Sequence, residues 1–305
     1  MKFAFSGREI SQRKGITLRI SLLLLLLAPG LLAQERIIDP TWLHRYLSDA
    51  SASSSKLATD SCRYKPLFGE GDSGARVLQS VSRFGEAEVA KRGHCGMVSY
   101  EREEELYFVE GGRGTLYYGE ESHLLRPGDF TYLPPGVKHS ISSDSDENLR
   151  VLVMGFKVPA KIALGPPSAH PKVMNLDEVK EQTVDGHPSS VLYKLLVGPH
   201  GATRDAIDDA YVVTSLFWMD FAPGGTNFPH HHEMAEEIYL LVEGNGEMVA
   251  GSGMDGIEGR FPARPGDAYY FRPNCTVGFY NQNKPGAKAY ILAVRSRISL
   301  PGDVD

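Results

Sequence analysis

Glu104-Glu105-Leu106-Tyr107-Phe108-Val109-Glu110-Gly111-Gly112-Arg113-Gly114 returns 132 residues later as Glu236-Glu237-Ile238-Tyr239-Leu240-Leu241-Val242-Glu243-Gly244-Asn245-Gly246. Each copy is an apolar run that ends in a glycine turn, which reads as a strand entering a tight reversal. Arg126-Pro127-Gly128-Asp129 also returns, as Arg264-Pro265-Gly266-Asp267, now at an offset of 138. The second copy therefore carries six extra residues between these two motifs, and the Gly251-Ser252-Gly253 loop is the natural place for them. The chain carries an internal duplication.

Outward from these motifs, short runs of strand character continue at 106–109, 115–118, 130–133 and 149–153, then at 212–221, 238–242 and 268–271. The 32 Gly and 19 Pro of the 305 residues supply the turns between them. Sustained helical periodicity is missing, so the repeated unit reads as a small antiparallel barrel or jelly roll, which hides its own sheet edges. The expected fold class is all-β, with two tandem barrels at 57–158 and 175–296, a proline-rich linker at 159–174 and a tail at 297–305. Alternation should bury Leu106 with Phe108 on one face, or Tyr107 with Val109 on the other. One helix is expected before the barrels, where Asp39-Pro40-Thr41-Trp42-Leu43 supplies a cap and a first-turn proline and the apolar spacing continues to Leu47. A serine-rich connector completes 34–56.

An apolar content of 42% excludes a disordered chain, and three cysteines are too few for a disulfide-built scaffold. The first 33 residues hold five basic side chains against Glu9, then an apolar run over 20–32, and they read as a secretory signal ending at Ala33. The run is too short for a bilayer span, and Pro29-Gly30 interrupts it. Removing a segment of charge +4 takes the formal charge from −6 to −10. The expected protein is secreted or periplasmic, and its acidity disfavours nucleic acid and anionic membranes as partners. Export permits a Cys62–Cys95 disulfide with Cys275 left over. Three buried thiols are the alternative.

The second copy reads Gly224, five residues, His230-His231-His232, four residues, Glu237, six residues, Gly244. This spacing resembles the first motif of the cupins. The first copy supplies most of their second motif as Gly128, Pro134, Gly136 and His139, with Ser143 where an Asn is usual. The chain is thus similar to the bicupins, and the resemblance implies a metal bound inside a barrel. In the first copy Val98 and Tyr100 stand at the two histidine positions, leaving Glu105 and His139 as a vestigial site. In the second, Val277 stands where His139 would be, while Asn281 matches the final Asn.

The chemistry can also be read from the residues. On a strand, His230 and His232 face one side and His231 the other, and a turn then brings in Glu237. Two imidazoles and a carboxylate occupy one face of a divalent transition metal, Mn, Fe, Zn or Ni, and leave positions open to substrate. Cys275 shares the parity of Val277 and is either a fourth ligand or a small buried thiol. His94 could converge with Glu105 and His139, although a metal-free Glu–His pair is the simpler reading. Tyr107 and Tyr239 read as inward core aromatics. The expected function is that of a metal-dependent enzyme on a small molecule: a dioxygenase, an isomerase or decarboxylase, or a hydrolase. The alternatives are a ureidoglycine aminohydrolase-like enzyme, whose first barrel resembles Leu133-Pro134-Pro135-Gly136-Val137-Lys138-His139, and a non-catalytic small-molecule or sugar-binding bicupin. The expected partners are that small molecule and, in a homo-oligomer, further copies of the chain.

Overall fold

The computed structural model describes residues 39–72, 74–251, 258–282 and 286–298. The signal segment, most of the inserted loop and the end of the tail lie outside the described residues. Strands β1 (Trp42–Tyr46), β2 (Cys62–Gly69), β3 (Val81–Val89), β4 (Glu103–Gly111), β5 (Gly114–Tyr118) and β6 (Glu121–Leu125) come first. They are followed by β7 (Asp129–Leu133), β8 (His139–Ser143), β9 (Leu149–Lys157), β10 (Lys172–Asn175), β11 (Val191–Pro199), β12 (Ile207–Ala210) and β13 (Val213–Phe221). The last are β14 (Ala235–Glu243), β15 (Gly246–Gly251), β16 (Glu258–Ala263), β17 (Asp267–Phe271), β18 (Thr276–Tyr280) and β19 (Ala289–Arg297).

Each barrel pairs a large sheet with a three-stranded one. In the first barrel these run β10-β7-β4-β9-β3-β2 and β6-β5-β8; in the second, β1-β17-β14-β19-β13-β11-β12 and β16-β15-β18. The pairing is antiparallel except for β11 with β12. The chain is all-β, as expected for two barrels of duplicated sequence.

The expected helix at 39–47 does not form. Trp42–Tyr46 is strand β1, followed by a single 3-10 turn at Leu47–Asp49. The segment crosses to the second barrel and pairs with β17, from Trp42 opposite Phe271 to Tyr46 opposite Asp267. A segment this short gains little from helical propensity alone, and the open edge of a sheet supplies a full ladder of backbone bonds instead. Trp42 then packs against Phe261 with ring centroids 4.6 Å apart. The linker expected over 159–174 is also shorter than read, because Lys172–Asn175 is strand β10 and pairs with β7 of the first barrel. Each large sheet is thus finished by a strand from outside the duplicated unit.

The apolar side chains form three cores. Tyr107, Val109, Leu116, Ile141 and Val151 fill the first barrel, and Tyr239, Leu241, Met248, Val277 and Ile291 fill the second. The third core joins the outer faces of the two large sheets, with Leu106, Phe108, Phe130 and Phe156 meeting Leu216, Ile238, Leu240 and Tyr270. Both alternating sets of β4 are therefore buried, Tyr107 with Val109 inside the barrel and Leu106 with Phe108 between the barrels. Cys62 and Cys95 form a disulfide that ties the segment before Met97 to β2. Cys275 is buried in the second core, its thiol donating to the Gly251 carbonyl. Among the described residues no helix is long and apolar enough to cross a membrane.

Candidate metal centre

The second barrel brings His230, His232 and Glu237 together, with one ligand atom from each lying within 4.8 Å of the others. Glu237 is carried by β14 and is 2% exposed. The histidines come from the segment before β14, which is held by an isolated bridge between His230 and Val277 rather than by a continuous strand. His231 is exposed, as its parity implied. Phe228 adopts a left-handed φ of 53°, and its carbonyl lies 2.8 Å from His230 Nδ1. That contact orients the ring and leaves Nε2 as the available nitrogen.

Glu237 Oε2 lies 3.3 Å from His232 Nε2, within ion-pair distance, and is a buried oxygen that no hydrogen bond satisfies. Burial opposes its ionisation, yet the His232 ring, Arg295 and His230 together hold the carboxyl below the usual carboxylate range. Burial lowers the pKa of His230, favouring the neutral form that a ligand must have. An orphaned carboxylate oxygen facing two imidazoles is the donor set of a divalent transition metal, and these residues fit one.

Arg295 was not visible as a site residue in the motif. Cross-strand register places it on β19 directly between Glu237 of β14 and Ser215 of β13. Its Nη1 lies 3.2 Å from His232 Nε2, and its Nε donates to Thr214 Oγ1 at 3.2 Å. A small cavity of about 30 Å³ is lined by Glu237, His230, Arg295, Ser215, Tyr193 and His187, among others. The hydroxyls of Tyr193 and Ser215 have no hydrogen-bond partner although both are buried. His187 stands edge-on to His230, with centroids 4.9 Å apart, and its Nδ1 lies 2.9 Å from the Asn227 carbonyl. Tyr193 and His187 precede the recognisable repeat, and only the folded barrel places them here.

The other candidates are structural. Val277 is a buried core residue whose backbone pairs with His230. Cys275 is not among the converging donors of the described residues. Asn281 donates through Nδ2 to the carbonyls of Phe221, Ala222 and Ala287, closing a turn instead of facing the site. Tyr239 is a buried interior aromatic bonded to Asn227, and Tyr107 packs edge-on against His139.

In the first barrel the row equivalent to Glu237, Arg295 and Ser215 is Glu105, Gly155 and Arg83. The arginine has moved one strand along the row and fills the space beside the carboxylate. Arg83 Nη1 donates to Glu105 Oε1 at 2.6 Å, while its other nitrogens meet Glu103 and Glu70 at 2.8 and 3.1 Å. A Cβ on Gly155 would fall 2.7 Å from Arg83 Nη1, so glycine is what admits the side chain. Glu105 Oε2 meets His139 Nε2 at 2.6 Å, and Tyr100 lies beneath the guanidinium at 3.8 Å. Burial works against ionisation of Glu105, but His139 and Arg83 outweigh it and keep its pKa low. A fixed cation therefore stands beside Glu105. His94 is exposed on the outside and does not join Glu105 and His139.

The cupin domain family model matches the chain twice, at residues 86–155 and 217–293, one match on each barrel. The chain is a bicupin. Solved bicupin-like structures superpose over most of its length. A Pseudomonas aeruginosa protein described as glyoxylate-induced matches at a TM-score of 0.67 and 16% identity, covering 87% of this chain and 94% of that one. The E. coli protein Ylba matches at 0.62 and 13%, covering 88% and 97%. An oxalate decarboxylase from Lactobacillus farciminis, solved as a formate complex, matches at 0.61 and 13%, covering 85% and 86%. At these identities the likeness establishes the fold. A search of curated proteins gives no match.

Proposed function

We propose that this bicupin is an exported metal-dependent enzyme that binds one divalent transition metal through His230, His232 and Glu237 and acts on a small molecule with an anionic end. The observation that carries this reading is the orphaned Glu237 oxygen, aimed at two imidazoles in a cavity that also presents Arg295 and the unpartnered hydroxyls of Tyr193 and Ser215. When bound, a divalent ion supplies Lewis acidity at positions that three protein ligands leave open. Arg295 provides fixed positive charge directly across from Glu237 on the neighbouring strand, and the two hydroxyls can hydrogen-bond an oxyanion. The cavity is small, about 30 Å³, a size that suits one small end group of a substrate. The Cys62–Cys95 disulfide supports export, because such bonds persist in oxidising compartments.

Metal content per chain is the test. The parent protein should hold one metal ion, and His230→Ala, His232→Ala and Glu237→Gln should each lose most of it. His231→Ala and His139→Ala should keep it, since one side chain faces solvent and the other belongs to the first barrel. Equal loss in His139→Ala would move the site to the first barrel. A parent protein without metal would favour the non-catalytic binder.

A further inference from the structure

The duplicated Glu-Glu pairs place one carboxylate inside each barrel and the other outside it, because neighbouring residues on a strand face opposite ways. The outward members, Glu104 and Glu236, are both 0% exposed. Each reaches into the other barrel. Glu236 accepts the backbone N–H groups of Gln79, Ser80 and Val81 at 2.6, 2.8 and 3.2 Å, and Ser80 Oγ–H at 2.6 Å. The hydroxyl of Tyr270, on β17, also donates to it. Glu104 does the same in reverse, accepting the N–H groups of Tyr211, Val212 and Val213 at 2.6, 2.9 and 2.8 Å and the hydroxyl of Tyr132 at 3.0 Å. The two clasps match in three backbone N–H donors and one tyrosine hydroxyl, in position on the strand and in burial, and Glu236 has the Ser80 hydroxyl in addition. Only one of them adjoins the metal triad.

We propose that Glu236 is a positioning residue of the metal centre, and that the first barrel, through backbone 79–81, fixes the start of β14 and so aims Glu237. This inference rests on the metal-binding reading above. Glu236 and Glu237 share a peptide unit, so a carboxylate pinned on one side of the strand by several charge-assisted bonds limits rotation of the residue delivering the ligand on the other. The constraint matters because no protein donor holds Glu237 Oε2 in place. The histidines precede β14 outside any regular strand, which leaves β14 as the one regular strand that carries a ligand. On this view the first barrel, which holds Arg83 at its own site, is retained as the support of the second barrel's metal centre.

The mirror clasp supplies the control. On the full chain, Mn²⁺ affinity should be measured by competition with a chelator, alongside thermal unfolding of the metal-free protein. Glu236→Gln and Glu104→Gln should lower the unfolding temperature by similar amounts, since each removes the same kind of buried contact. Glu236→Gln should also weaken Mn²⁺ binding by about tenfold, as loss of a supporting partner of a metal ligand usually does. Glu104→Gln should leave it at the parent value. Tyr270→Phe and Ser80→Ala each remove one donor to Glu236 and should weaken binding by a smaller factor. They carry the test if Glu236→Gln does not fold, with Tyr132→Phe as their control. Parent affinity in folded Glu236→Gln, or in both milder variants, would overturn the inference. So would equal weakening in Glu104→Gln, which would mark a general loss of rigidity. A parent protein that takes up no Mn²⁺ or other divalent metal would instead overturn the metal reading, and this inference with it.

Discussion

Arg83 shows how one residue can decide the chemistry of a barrel. It is 3% exposed and bonded to Glu105, Glu103 and Glu70, and it occupies the row position that Ser215 holds in the other barrel. Replacing it with Ala would leave Glu105 buried without its guanidinium partner, at a cost of about 3–5 kcal/mol. Urea unfolding of Arg83→Ala should show that loss, while metal content stays at the parent level. Phe228 is a second such residue. Its left-handed backbone is strained for a bulky side chain, and its ring is 53% exposed, so little packing offsets the strain. Phe228→Gly should therefore keep or raise thermal stability by up to about 1 kcal/mol, whereas an exposed side chain in ordinary backbone would lose by the change. The triad itself was legible in the sequence because its members lie within eight positions and their spacing is a local property. Arg83, Arg295, Ser215 and Tyr193 were not legible, because their place depends on cross-strand register, which no local spacing encodes.

The two exchanged strands make the same point for whole elements. Asp39-Pro40-Thr41 has the chemistry of a helix start, yet the segment after it becomes β1 because β17 offers an edge and Phe261 and Tyr269 offer rings. Local preference was readable, but the partner that overrides it lies more than two hundred residues away. The duplicated strands, by contrast, were legible as strands because each copy carries its own glycine turn. Trp42→Ala should cost about 2 kcal/mol, the scale of removing a partly buried aromatic. Trp42 and Trp218 are the only tryptophans, so in a Trp218→Phe background the emission of Trp42 reports docking of β1 directly. A red-shifted spectrum in the native protein would show that β1 does not seal the second barrel.

At the scale of the molecule, the core between the sheets makes the two barrels one folding unit, since Leu106 and Ile238 belong to the same apolar cluster. A cleft of about 350 Å³ remains between them, lined by Phe108, Leu176, Trp218, Leu240 and, at one side, Glu110 with Arg150. Glu110 Oε2 is buried without a partner. Burial first, and then the neighbouring Glu86 carboxylate, push the Glu110 pKa up to about 8, against the smaller opposing pull of Arg150 and Lys65. Glu86 is itself paired with Lys65 at 3.0 Å and lies 3.5 Å from Arg150, so those cations are already engaged. An unfolded chain loses this proton near the ordinary value of 4.5, whereas the folded chain keeps it up to about 8. Between those limits the native state binds the extra proton, so stability is greatest at the acidic end and falls as pH rises through the interval. Glu110→Gln keeps the shape and removes the titration. Its unfolding temperature should match the parent's near the acidic limit and exceed it at and above pH 8, with a flatter slope between. Parallel profiles for the two proteins would mean that Glu110 is ionised in the folded state, with Arg150 and Lys65 compensating both carboxylates at the cleft.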